Sequence, residues 1–205
     1  NINMGLSYFT ALSYLLDISR NKIANFLSMQ PIHAYLVAAH QQEISELESL
    51  LDICELVRLS SELIHALQAE RGSANLYVAG KTERFLKLHK EKTQDTDSCL
   101  KELFAFLEPT SRAVLKLRYR SKLLTRIAIA LDASQRISEI RSQVTGLLLN
   151  ASHISTQYTQ IVRSFLELIF EATDISDDPE VSKLLLALLN LIEAKESAGL
   201  ERANG

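Results

Sequence analysis

Residues 31–78 read PIHAYLVAAHQQEISELESLLDICELVRLSSELIHALQAERGSANLYV, with no proline after Pro31 and no glycine before Gly72. Leu50, Ile53, Val57, Ile64, Leu67, Ala74 and Val78 fall three, four or seven residues apart, the spacing of the face a helix turns toward its core. The stretch therefore predicts one very long helix, or two joined by a slight bend, reaching up to ~70 Å at ~1.5 Å per residue. Arg71 lies on the same stripe. A guanidinium cannot shed its proton to escape burial, so a core-facing arginine requires an anion opposite it.

Outward from this spine the chain keeps the helical period. Tyr8, Phe9, Leu12, Leu15, Leu16, Ile23, Phe26 and Leu27 predict an amphipathic helix ending ahead of Pro31, and residues 1–30 are a candidate dimer surface. Gly80 is expected to stop the long helix. A further helix is predicted from about Thr82 to Leu107, with a break near Gln94–Asp97 and a stop at Pro109. Thr110 or Ser111 caps the next, through Leu117, Leu124 and Ile127 and onward toward Val144. Gly146 opens a connection to a helix carrying Tyr158, Ile161, Val162, Phe165, Leu168 and Ile169. Asp177-Asp178-Pro179 is a start signal, an Asp cap with proline at the first helical position, for a last helix to about Ala203. No strand-like alternation persists. The expected fold is all-α: antiparallel helical bundles built around one very long helix.

Composition narrows the function. Six glycines and three prolines are few for 205 residues, and a net charge of −3 argues against the whole chain binding nucleic acid as a polycation. The longest apolar run near a terminus, Leu184 to Ile192, is too short to span a bilayer, so a cytoplasmic, non-membrane chain is expected. Asn1 and the abrupt end at Gly205 suggest a piece of a longer protein. Glycine-rich phosphate loops, HExxH, GxSxG and metal-ligand clusters are absent, and the five histidines are scattered. Neither an enzyme nor a metal or cofactor is expected. Arg112, Lys116, Arg118, Arg120, Lys122 and Arg126 form a basic flank, read first as a solvated face and second as an RNA- or partner-binding stripe.

A second arginine repeats the first one's setting. Arg202 falls on a stripe with Val181, Leu185, Leu188, Ile192 and Gly199, and Lys195 joins it two turns earlier. Glu70 and Glu201 each precede their arginine by one residue, about 100° round the helix, so neither faces its own neighbour. Gly72, Ser73, Ala74, Ala198 and Gly199 are small, letting backbones approach or leaving a cavity over a guanidinium. One reading pairs each arginine with a carboxylate across a helix seam. The other leaves surplus positive charge in a dry seam, which asks for a small anion.

The segments Leu67-Gln68-Ala69-Glu70-Arg71-Gly72-Ser73-Ala74 and Lys195-Glu196-Ser197-Ala198-Gly199-Leu200-Glu201-Arg202-Ala203 resemble two signatures of the NIT (nitrate- and nitrite-sensing) domain, as in soluble nitrate-responsive transcription antiterminators. The resemblance implies an all-helical sensor over 31–205, continuing past this chain's end, that holds nitrate or nitrite between helices. Arg71 and Arg202 match the motif arginines and are the implied ligand contacts; Gly72, Ser73, Lys195 and Gly199 take supporting roles. It further implies that RNA is reached only through a downstream output domain; a homodimer is expected from the apolar first helix on either reading. The competing reading is a ligand-free helical dimerisation module.

Overall fold

The computed structural model describes the backbone of residues 2–108, 121–174 and 179–204, and the side chains of residues 20, 31–108, 121–174 and 179–201. Its elements are α1 (Ile2–Gly80), α2 (Glu83–Phe106), α3 (Ser121–Gln135), α4 (Ile137–Thr145), α5 (Ala151–Asp174) and α6 (Pro179–Asn204). No strand occurs among the described residues.

The 79-residue α1 runs through Pro31, where the sequence predicted a helix end. Proline interrupts a helix by removing one N–H and crowding the carbonyl four residues back, a cost of ~3 kcal/mol. Here it sits between long runs of good helix formers, which carry the helix past a single missing bond. Two compact units divide the chain, 1–48 and 49–205, so the boundary falls inside α1 and not at the proline. In the first unit Ile32, Tyr35, Leu36, Ile44 and Leu47 are exposed.

The second unit is a bundle whose ends follow local chemistry. Gly80 closes α1 because the Phe85 ring lies 2.5 Å from where a Cβ would sit, and Lys81 then turns at φ 48. The Thr82 hydroxyl accepts from the Phe85 N–H at 3.4 Å, capping α2. The break expected near Gln94–Asp97 does not form. Thr93, Thr96 and Ser98 stay within the helix, their hydroxyls donating to carbonyls one turn back at 2.8, 3.1 and 3.1 Å. The helix expected through to Val144 is cut at Arg136, whose N–H reaches the Ala133 carbonyl at 3.3 Å in a tightened turn, giving α3 and α4. The Asn150 side chain accepts from the His153 N–H at 2.9 Å, so Asn150-Ala151-Ser152 is a helix start. Pro179 opens α6 as expected, while Asp177 and Asp178 lie outside the described residues.

Helix α5 is the centre of this bundle. Ile154, Tyr158, Ile161, Val162, Phe165, Leu168 and Ile169 are all buried, together with Ile53, Leu56, Leu63, Ile64 and Leu67 of α1. Helices α3 and α6 both pack on α5. On the α2 side His89 is buried against the Ser73 hydroxyl at 3.2 Å. Burial lowers its pKa; Glu70 opposes the shift and Arg141 adds to it. A histidine held neutral in the fold protonates first in the unfolded chain. Stability should therefore be intact above the unfolded pKa near ~6.5 and fall as pH drops toward the lower folded value. Urea midpoints measured from pH 7.5 down to 5 test this, and His89→Gln should flatten the part of the loss that histidine causes.

Candidate functional site

The adjacent residues Glu70 and Arg71 are both buried, and they bond to different partners. Glu70 is fully enclosed. Arg141 of α4 donates to its two oxygens at 2.7 and 3.0 Å, and the Tyr158 hydroxyl of α5 donates at 2.7 Å. Arg141 is itself fixed by Asp97 at 2.7 Å and the Thr93 carbonyl at 3.2 Å. Burial pulls the Arg141 pKa down, but its bonds to Glu70 and Asp97 outweigh this and raise it. Burial, and then the charge of Glu70, drive the Tyr158 hydroxyl far above the usual tyrosine range. This cluster ties α1, α2, α4 and α5 together around a neutralised charge.

Arg71 points toward α5 and α6. Its guanidinium forks onto the Glu196 carboxylate at 2.5 and 3.1 Å and donates to the Thr159 hydroxyl at 2.8 Å. Gln68, one turn earlier on α1, adds an amide donor to Glu196 at 2.9 Å. Only 5% of Arg71 and 7% of Glu196 is exposed. At Gly199, one turn beyond Glu196, α6 runs close to the fork: a Cβ there would lie 3.3 Å from Arg71 Nη2. Beside this pair opens a groove of about 420 Å³, lined by Arg126, Thr159, Arg163, Glu193, Glu196 and Leu200 among others.

The sequence-derived site residues divide accordingly. Arg71 and Gly199 meet. Lys195 does not join them: it is exposed and donates to His65 at 2.6 Å. Its pKa is lowered by partial burial, against the pull of Glu196. Gly72 is exposed with open space around it, and Ser73 bonds to the Glu70 carbonyl and His89, away from Arg71. Arg202 lies one turn past Gly199 in the register of α6, and its side chain is outside the described residues. Of the basic flank, Arg112 to Arg120 is also outside them, while Arg126 pairs with Glu167 at 2.6 Å.

Of the two readings of the seam, Arg71 follows the first: the surplus positive charge of the second is not found there, because Arg71 has Glu196. The buried stripe of α6 is Leu185, Leu189, Ile192 and Glu196, not the line through Leu188 and Lys195. Leucines surround this helix on several sides, so the apolar pattern alone does not fix its rotation. The spacing of Glu196 from Ile192 (four) and Gly199 (three) was the available signal.

The chain is 28% identical over 171 residues to the nitrate regulatory protein of Klebsiella oxytoca, covering 83% of this chain and 42% of that protein. The solved structure of the NasR transcription antiterminator superposes with a TM-score of 0.72 at 27% identity, over 84% of this chain and 46% of that one. The chain thus spans less than half the length of these relatives. The profile of the nitrate and nitrite sensing family matches residues 62–205, the segment that carries Gln68, Arg71, Thr159, Glu196 and Gly199, and the chain belongs to that NIT family.

Proposed function

We propose that the chain binds nitrate or nitrite at the Arg71 fork, with Gln68 and Thr159 as further donors and Arg202 as a second cationic contact. The supporting observation is that the fork already holds a flat, singly charged oxyanion, the Glu196 carboxylate, inside a three-helix seam. Nitrite is bent with two oxygens, as a carboxylate is, and nitrate adds a third in the same plane. Either can take two parallel N–H donors from one guanidinium. Of the supporting residues, Gly199 keeps a role by letting α6 approach Arg71, whereas Gly72, Ser73 and Lys195 stand off the fork.

The role is regulatory and not catalytic. The anion shifts the packing of α6 on α1 and α5, and an output segment outside these 205 residues reads that shift. By analogy with the antiterminator, the output acts on RNA. No helix among the described residues is long and apolar enough to cross a membrane, and we place the protein in the cytoplasm. A homodimer through the N-terminal part of α1 would cover its exposed Ile32, Leu36, Ile44 and Leu47.

Nitrate offers four heavy atoms. At a ceiling of ~1.5 kcal/mol each, binding is limited to ~6 kcal/mol, a dissociation constant of tens of micromolar. At a hundredfold excess over that constant the fold gains ~2.7 kcal/mol, which raises the melting temperature by roughly 5–10 °C for a chain of this size. A thermal-shift panel of nitrate, nitrite, chloride and sulfate, with sedimentation of the same samples, tests both proposals. Selective stabilisation by nitrate or nitrite is expected. A dimer unmoved by any anion would instead favour the ligand-free dimerisation module.

A further inference from the structure

Two buried Arg–Glu pairs lie side by side in this bundle, and their surroundings differ. Glu70 is fully enclosed, and its partner Arg141 is anchored twice more, by Asp97 and by the Thr93 carbonyl. That pair is locked. Glu196 takes the same kind of fork from Arg71, yet it forms part of the wall of an open groove. On that wall Arg126 is already held by Glu167, whereas Arg163 is exposed and enters no ion pair among the described residues. Arg163 stands one helical turn beyond Thr159 on α5 and shares the groove with Glu196. Glu196 therefore shares its groove with a second guanidinium that has no ion-pair partner among the described residues.

We infer that the Glu196 carboxylate is a tethered occupant of the anion site, which nitrate or nitrite must displace from Arg71, and that Arg163 receives it in the adjoining groove. The inference rests on the anion site proposed above. Its chemical basis is likeness. The carboxylate presents two oxygens to the Arg71 fork and accepts a third donor from Gln68, with the Thr159 hydroxyl 3.5 Å from Oε1. A free flat monoanion needs the same donors. The exchange keeps the seam neutral in both states: Glu196 neutralises Arg71 without ligand, and the anion does so with it. It also gives the signal a moving part, since Glu196 belongs to α6 and its release removes the ion pair that ties this helix to α1.

An occupied site binds with its intrinsic affinity reduced by the fraction of molecules in which it is open. If Glu196 is swung out in about one molecule in ten or fewer, removing it should tighten nitrate binding by at least about tenfold. Calorimetric titration of nitrate into the unmodified chain, Glu196→Gln, Glu193→Gln and Arg71→Lys tests this. Glu193 also lines the groove, so Glu193→Gln removes the same charge without vacating the fork. The expected result is a gain of tenfold or more for Glu196→Gln and less than about twofold for Glu193→Gln. Glu196→Ala supplies a second readout: free formate should restore its lost thermal stability and compete with nitrate. Binding by Glu196→Gln no tighter than the unmodified chain, or an equal gain in Glu193→Gln, overturns the displacement. If in addition Arg71→Lys weakens nitrate, the anion site itself stands. Nitrate binding that is indifferent to Arg71→Lys, or absent in every variant, overturns the site as well.

Discussion

Arg141→Leu should destabilise the fold by about 3–5 kcal/mol, the cost of leaving a buried carboxylate without its ionic partner. Glu70 would keep only the Tyr158 hydroxyl among its three donor contacts, in a place water does not reach. Its charge cannot relax outward, because Glu70 is fully enclosed in the bundle. Urea unfolding measures the loss. Adding Glu70→Gln in the same chain should recover much of it, since a neutral amide can still accept from Tyr158 and no bare charge remains. A double variant no more stable than Arg141→Leu would mean that the pair acts by filling space and not through its charge.

Arg71→Leu is expected to behave differently, although Arg71 is buried more deeply than Arg141. It too strips a glutamate of its fork, but Glu196 borders a groove into which it can turn. The destabilisation should therefore be nearer the ~1.5–3 kcal/mol of a lost charged hydrogen bond. The larger effect of changing Arg71 falls on ligand. Arg71→Lys keeps the positive charge and loses the planar pair of donors, which a point-charge ammonium does not replace. Nitrate affinity should fall by at least about tenfold, ~1.4 kcal/mol, with a much smaller change in unfolding free energy.

How far the sequence revealed this depends on the kind of signal each element carries. The long helix was legible because apolar residues recur on one face from Leu50 to Val78 with nothing to interrupt them. Proline at 31 read as a boundary since it breaks one hydrogen bond, yet a single lost bond does not outweigh two long helical runs. The kink at Arg136 had no glycine or proline to announce it. At the site, Arg71 and Gly199 were legible as a charged and a small residue on apolar stripes, and they meet. Glu196 was missed because α6 is rich in leucine on several sides, which hides its true rotation; a shift of one residue exchanged Lys195 for Glu196. Which carboxylate answers which arginine is a tertiary fact. Glu70 and Glu196 are each paired with an arginine far along the chain, and no local spacing encodes that.

A flat monoanion held by the Arg71 fork is the central claim, and calorimetric titration of nitrate into the unmodified chain and into Arg71→Lys tests it most directly. Binding no tighter than tens of micromolar that weakens about tenfold or more in the variant is the predicted outcome. Equal affinity in the two proteins would contradict it.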